Sequence, residues 1–132
     1  MAKKKILAID DEESICDMYR QGLTALGYEV TCASNAQKAK EALGRSKPDI
    51  ILMDIMMPDQ DGISLTRELR AQAETSDIPI VVVSGLSDAA TLNDALLFGA
   101  VDYLVKPFDV DILKNKLERA LVMAEHRKQK GG

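Results

Sequence analysis

Five apolar runs of strand length alternate along this chain with five segments of helical periodicity. The predicted strands are residues 6–9, 29–33, 50–53, 78–83 and 101–105. Such alternation is typical of βα units that feed a parallel sheet with helices on both faces. Three of the runs, including the Ile-Val-Val-Val segment of residues 80–83, are continuously apolar, as expected of strands buried on both sides. The sequence therefore predicts a (βα)5 α/β domain with these three strands at its centre.

Signals for helix ends lie between the strands. The first predicted helix ends at Gly27, since glycine readily takes the left-handed conformation that closes a helix. The second begins with a capping box of Ser34 and Gln37 and closes at Gly44. The other three helices are predicted over residues 64–73, 87–98 and 109–124. The connections are short, and no internal repeat or low-complexity tract interrupts them.

Length and composition favour a single globular domain. The chain has 132 residues, of which 46% are apolar and 29% charged, and this mixture is neither disordered nor disulfide-rich. We expect one domain over residues 1–132, with its core at about 4–125 and a basic tail or linker stub at 126–132. The longest apolar runs are far too short to cross a bilayer, so we expect no membrane segment and a cytoplasmic protein.

Charge and cysteine content exclude several function classes. The net charge of −4 argues against direct nucleic-acid binding by the domain as a whole. Cys16 and Cys32 lie in no CxxC motif, and the chain's one histidine, His126, is near its end. We interpret the cysteines as reduced, half-buried residues without a redox or metal role.

Polar residues follow four of the predicted strands where each strand ends. Asp10, Asp11 and Glu12 follow the first strand. Asp54 follows the third, Ser84 the fourth, and Lys106 with Pro107 the fifth. Because ligands of open parallel sheets bind beyond the carboxyl ends of the strands, we expect these side chains to share one site.

The clustered carboxylates indicate a divalent cation. Two bare carboxylates about 4 Å apart repel each other by roughly 4 kcal/mol at a dielectric constant of 20, so a compensating charge is needed. Oxygen ligands without histidine or cysteine favour Mg²⁺ or Mn²⁺ over zinc. For Asp11 or Glu12 alone, capping of the first helix is an equally good explanation. For Asp54 a turn-forming role is the alternative.

The order and spacing of these motifs identify a family. The residues that carry the resemblance are Asp10-Asp11, Asp54, Met57-Pro58, Asp61-Gly62, Ser84-Gly85, Tyr103 and Lys106-Pro107. Together they resemble the receiver domain of bacterial two-component response regulators, and the resemblance covers nearly the whole chain. It implies a flavodoxin-like, doubly wound, five-stranded parallel sheet with strand order 2-1-3-4-5.

The resemblance also implies a role for each site residue. Asp54 would accept a phosphoryl group, while Ser84 and Lys106 would contact the phosphoryl oxygens. Mg²⁺, or Mn²⁺ in its place, would be held by a set of four residues: Asp10, Asp11, Asp54 and the backbone carbonyl of Met56. Tyr103 would move inward when the site is phosphorylated, or else simply pack on the fifth helix. The Lys106–Pro107 bond would be cis.

The resemblance implies signalling partners rather than substrates. The phosphoryl donor would be a sensor histidine kinase or a phosphotransfer protein, and the recipient of the signal a downstream target protein or an appended output domain. Dimerisation on phosphorylation is left open. A phosphatase with an aspartyl nucleophile is disfavoured, because residue 56, where that class places its second aspartate, is methionine. A flavin carrier on the same fold is disfavoured by the acids after the first strand. We therefore expect a signalling domain that is not an enzyme.

Overall fold

Strands and helices alternate from one end of the chain to the other in the computed structural model, which describes residues 3–131. In chain order the elements are β1 (Lys5–Ile9), α1 (Glu13–Ala25), β2 (Glu29–Ala33), α2 (Ala36–Arg45), β3 (Ile50–Met53), α3 (Gly62–Ala71), β4 (Ile80–Ser84), α4 (Ala89–Leu97), β5 (Asp102–Val105) and α5 (Val110–Gly131). The predicted strands are confirmed to within two residues at either end.

The five strands form one parallel sheet in the order β2-β1-β3-β4-β5, which confirms the predicted topology. The three continuously apolar runs are the central strands β1, β3 and β4. Apart from Lys5, every residue in these three strands is buried. Full burial follows from the layering, since helices cover both faces of the sheet.

Two apolar clusters hold the helices to the sheet. One lies under α2, α3 and α4 and includes Ala39, Leu65, Leu69 and Ala95. The other lies under α1 and α5 and includes Tyr19, Leu23, Leu113 and Leu117. Helix α4 contributes a single fully buried side chain, Ala95, so it has the weakest hold on the core of the five helices.

The helix ends confirm one of the predicted local signals and contradict another. Gly27 has φ +97° and closes α1 as predicted, and Gly99 plays the same part after α4 with φ +122°. The capping box predicted for α2 is wrong. Asn35, and not Ser34, caps that helix, and its side chain accepts a hydrogen bond from the Lys38 amide. Gly44 lies within α2, which runs one residue further.

Helix α5 is longer than the sequence indicated, with 22 residues instead of an end near residue 124. Of the predicted tail, His126 and Arg127 belong to this helix. The side chains of Lys128 and Lys130, and all of Gly132, lie outside the described residues. Within residues 3–131, no helix has the length and apolar character needed to span a membrane.

The two cysteines are neighbours, with Cys16 on α1 and Cys32 on β2. Cys16 is buried, Cys32 is half-buried, and both are free thiols. The Cys32 Sγ donates to the Cys16 carbonyl at 3.6 Å. Burial is the main reason that the pKa of Cys16 rises to about 12, so its reactive thiolate form is scarce at neutral pH. This agrees with the interpretation of both residues as packing residues.

Candidate functional site

The polar residues predicted from the strand ends do meet at one edge of the sheet. Asp54, Ser84 and Lys106, together with Asp11 and the exposed Met56, line a cavity of about 630 Å³. They meet because β1, β3, β4 and β5 run in the same direction, so their carboxyl ends share an edge. The cavity continues between apolar side chains of α1 and of the segment after β5, namely Ile15, Met18, Pro107 and Phe108.

Three carboxylates lie together at this edge of the sheet, and two of them, Asp11 and Asp54, line the cavity. Asp10, Asp11 and Asp54 each have an oxygen within 4.8 Å of the others. Asp10 and Asp54 are buried, whereas Asp11 is exposed. The Asp10 Oδ1 accepts a hydrogen bond from the Glu12 amide at 2.9 Å, and its buried Oδ2 is paired with the Lys106 ammonium at 2.8 Å. Three carboxylates this close together, with a single ammonium beside them, suit a hard divalent cation.

The environment of Asp54 disfavours its ionised form. Burial, followed by the neighbouring charge of Asp10, raises the pKa of Asp54 to about 6, while the Lys106 ammonium acts in the opposite direction. The carboxylate is therefore ionised at neutral pH but unfavourably placed. A cation or a bond to an electrophile would relieve this unfavourable state.

Lys106 is the positive charge nearest to these acids. Its Nζ lies 2.8 Å from Asp10 Oδ2, 3.2 Å from Glu12 Oε1 and 3.6 Å from Asp54 Oδ2. Burial alone would lower the pKa of Lys106, but the hydrogen bond to Asp10 and the charges of Asp10 and Asp54 raise it above its ordinary value. The peptide bond from Lys106 to Pro107 is cis, as the resemblance implies.

Ser84 is the last residue of β4 and is fully buried. Its Oγ accepts a hydrogen bond from the Leu86 amide at 3.1 Å, and its backbone carbonyl accepts one from the Lys106 amide at 2.8 Å. The hydroxyl and the ammonium are thus joined through the backbone of neighbouring strands. This connection keeps both groups at the same edge of the cavity.

Tyr103 lies on the edge strand β5 and is half-buried. The Nζ of Lys116, on α5, lies 5.6 Å from the centre of its ring and 3.0 Å from Asp102 Oδ1. Tyr103 also packs against the apolar cluster under α2, α3 and α4. The packing on α5 is therefore present, and Tyr103 contacts both of the layers that flank its end of the sheet.

Sequence patterns placed Glu12 at the site and Gly62 in the family motif, but they predicted neither the contacts of these residues nor any role for Asp59. Glu12 pairs with Lys106, Gly62 packs on the backbone of Asp54, and Asp59 contacts the start of α2. The contacts of Asp59 and Gly62 depend on the path of the loop after β3. The pattern of apolar residues in the sequence carries no information about that path. The one sequence signal was the cluster of turn-forming residues at 58–62.

Gly62 has to be a glycine for a steric reason. A Cβ at this position would overlap the Asp54 carbonyl, and the Gly62 amide donates to the Ile55 carbonyl at 2.8 Å. We expect Gly62→Ala to lower the free energy of unfolding by about 1–3 kcal/mol, the usual cost of forcing extra volume into a packed site. Urea denaturation measures this change.

Gly44 provides the matched control for that substitution. It lies in α2, its φ is not positive, and a Cβ there would meet no atom within 4 Å. Gly44→Ala should therefore stabilise the protein by about 0.5 kcal/mol through helix propensity. A Gly62→Ala protein as stable as the parent would contradict the steric argument.

Comparison with known proteins gives a consistent result. The chain matches the family described as "Response regulator receiver domain" over residues 6–118. It is 34% identical to the Regulatory protein AtoC of Escherichia coli over 97% of this chain and 27% of that protein. It is 41% identical to the Transcriptional regulatory protein KdpE of Staphylococcus aureus over 87% of this chain and 48% of that protein. The chain thus spans about a quarter to a half of these relatives.

Solved structures show the same architecture. The chemotaxis protein CheY4 of Vibrio cholerae superimposes with a TM-score of 0.85 and 30% identity, covering 90% of this chain and 99% of that one. NtrX from Brucella abortus superimposes with a TM-score of 0.91 and 30% identity, covering 98% of this chain and 30% of that one.

Proposed function

The chain belongs to the family of response regulator receiver domains, and on that premise we propose that Asp54 accepts a phosphoryl group within a two-component phosphorelay. The donor is a sensor histidine kinase or a phosphotransfer protein. One observation carries this proposal above the others. The buried Asp54 carboxylate, whose pKa is raised, lies within 3.6 Å of the Lys106 ammonium and beside two further carboxylates.

The donor set at the site fits Mg²⁺, for which Mn²⁺ can substitute. Asp10, Asp11, Asp54 and the backbone carbonyl of Met56 would hold the ion. The close approach of the three carboxylates, whose oxygens lie within 4.8 Å of one another, supports this assignment. When bound, Mg²⁺ supplies positive charge that neutralises the transferring phosphoryl group. The ion would also relieve the repulsion between the carboxylates.

The residues of the chain itself position the reacting groups. A carboxylate oxygen of Asp54 attacks the phosphorus atom and forms an acyl phosphate. The bond from phosphorus to the donor's imidazole nitrogen breaks, and its electron pair stays on that nitrogen. The Lys106 ammonium and the Ser84 hydroxyl donate hydrogen bonds to phosphoryl oxygens. Since Asp54 is already ionised at neutral pH, no general base is required.

Phosphorylation of Asp54 can be tested without knowing the kinase. In acetyl phosphate and millimolar Mg²⁺ at pH 7.5, the parent chain should gain the mass of one phosphoryl group. Omission of Mg²⁺ should abolish the gain. Intact-mass spectrometry measures both results.

Asp54→Ala is the first variant to compare, and Asp59→Ala is a control that removes a nearby carboxylate outside the metal-binding set. The alanine variant at position 54 should stay unmodified, whereas the variant at 59 should still be labelled at saturation. Labelling that persists in Asp54→Ala would show that another residue is the acceptor.

The output of the proposed switch is a protein contact. Exposed apolar side chains on α4 and α5, including Leu96, Leu97 and Ile112, offer a surface for a target protein, an appended output domain or a second copy of the chain. We propose a binding domain in the cytoplasm that catalyses only its own phosphorylation and dephosphorylation and does not itself bind nucleic acid.

Phosphorylation should change the contacts of α4, β5 and α5, because a ligand shifts a conformational equilibrium only through different contacts in the two states. Beryllofluoride with Mg²⁺ stands in for the phosphoryl group on Asp54. We expect amide chemical-shift changes at Ser84 and Tyr103 and across α4, measured by ¹H–¹⁵N NMR. Changes confined to the residues around Asp54 would contradict the switch.

A further inference from the structure

The loop between β3 and α3 is tied to helix α2 by the side chain of Asp59. The Asp59 Oδ1 accepts a hydrogen bond from the Ala36 amide, and its Oδ2 accepts one from the Gln37 amide, both at 3.0 Å. The partners are 23 and 22 residues away along the chain. Asp59 therefore joins two separate segments and does more than shape its own turn.

Helix α2 does not need Asp59 as its ordinary cap. Asn35 is the N-cap, and its side chain accepts a hydrogen bond from the Lys38 amide at 2.8 Å. The Asp59 carboxylate accepts hydrogen bonds from the Ala36 and Gln37 amides, which precede Lys38 and which the Asn35 cap leaves without a partner. Its negative charge also lies against the positive end of the helix dipole. The contact is thus favourable for both segments, and it fixes the position of the loop.

A second polar bridge joins the same parts of the molecule. The Gln60 side-chain amide donates to Glu68 Oε1 at 3.3 Å, and Lys40 of α2 pairs with Glu68 Oε2 at 3.0 Å. Within the loop, Met56 is 64% exposed, so packing of its side chain does not hold it in place. Met57 packs against the core at one end of the segment, and Asp59 ties the other end.

We propose that Asp59 is a positioning residue of the cation site, holding the segment from Met56 to Asp59 against α2 so that the Met56 carbonyl faces the acids. This inference rests on the proposed function, because Met56 is a metal ligand only in that proposal. Groups that orient metal ligands commonly change metal affinity when they are removed. The role of Asp59 differs from that of the ligands, since it acts only through the backbone of its loop.

Mg²⁺ affinity, measured by isothermal titration calorimetry on the unphosphorylated full chain, tests this role. Asp59→Ala should weaken Mg²⁺ binding by about three- to ten-fold, less than the roughly 10- to 100-fold typical of residues that orient metal ligands, because Asp59 is exposed. Asp59→Asn keeps one acceptor oxygen for one amide and should give an intermediate loss. Salt weakens a purely electrostatic effect of the Asp59 charge on the cation. If Asp59 acts by positioning the loop, the ratio of Mg²⁺ affinities between parent and variants should therefore be the same in 0.2 M KCl.

Two control variants separate positioning from helix capping and from loss of charge. Asn35→Ala removes the other cap of α2, and Asp88→Ala removes a capping carboxylate from α4 at the same edge of the sheet. Both should lower the urea midpoint about as much as Asp59→Ala does while leaving Mg²⁺ affinity within two-fold of the parent.

Each result decides between defined alternatives. If the parent binds Mg²⁺ and Asp59→Ala binds it equally well, the positioning role is wrong and the proposed function stands. If Asn35→Ala weakens binding as much as Asp59→Ala, the effect belongs to α2 and the positioning role is also wrong. A parent chain that binds no Mg²⁺ overturns both proposals.

Discussion

Replacing Lys106 with methionine should lower the free energy of unfolding by about 3 kcal/mol in metal-free buffer, because the substitution breaks a buried ion pair and leaves its acidic partners uncompensated. The Lys106 side chain is 13% exposed, and its ammonium lies 2.8 Å from the Asp10 carboxylate, whose side chain is 1% exposed. Asp54 loses the same counter-charge at 3.6 Å. Methionine fills most of the volume of the lysine stem, so loss of packing adds little.

The same substitution should slow phosphorylation by acetyl phosphate about 100-fold at saturating Mg²⁺, the usual cost of removing one donor from a developing anionic centre. Urea denaturation and the rate of phosphoryl incorporation measure the two effects. Lys116→Met is the matched control. The Lys116 ammonium also pairs with an aspartate, Asp102, at 3.0 Å, but this pair is more exposed to solvent. That variant should lose about 1 kcal/mol at most. Equal effects of the two substitutions would contradict a special role for Lys106.

Replacing Asp54 with asparagine should have the opposite effect on stability. The pKa of Asp54 is raised to about 6 in the folded protein, chiefly by burial and then by the charge of Asp10. A carboxyl with a raised pKa stabilises the fold when protonated, below about pH 4, and that stabilisation is lost as the pH rises through about 6. Above this range the ionised group costs about 3 kcal/mol.

Asparagine is neutral at every pH and has nearly the same shape. In metal-free buffer at pH 8, Asp54→Asn should therefore be more stable than the parent by about 2–3 kcal/mol, and near pH 4 the two proteins should be nearly equal. Urea denaturation at both pH values measures this difference. Millimolar Mg²⁺ should narrow the gap at pH 8, because an ion that binds the folded parent adds stability by mass action.

Asp17→Asn removes an exposed carboxylate that pairs with Arg20 and serves as the control. It should change stability by less than about 0.5 kcal/mol at either pH. If Asp54→Asn is less stable than the parent at pH 8, the Asp54 carboxylate is not under strain in the folded state.

The central sheet was predictable because burial on both faces leaves a direct trace in the sequence. Each central strand is a continuous apolar run, and the polar residue that follows it marks the edge where the site forms. The end of β4 was less clear. Ile78 bonds through its amide to the Thr75 carbonyl in a turn, and Pro79 has no amide to donate, so the strand begins at Ile80 and includes Ser84.

Contacts between distant loops were not predictable from local patterns. Ser34 and Asn35 are both good capping residues, and the choice between them depends on where the chain enters α2. The bonds of Asp59 to the start of α2, and the contact of Gly62 with Asp54, depend on the path of the loop after β3. The extension of α5 was underestimated because its last residues are charged and lack an apolar period.

The strand order also has a consequence for synthesis and folding. Once β1 has paired with β2 and β3, β4 adds beside β3 and β5 adds beside β4, so the sheet grows at one edge in the order of translation. Until β5 arrives, the apolar Ile-Val-Val-Val segment of β4 is an unpaired edge. Such an edge can pair with another chain. A truncated chain that ends before β5 would therefore be prone to aggregation, and the nascent chain passes briefly through the same state.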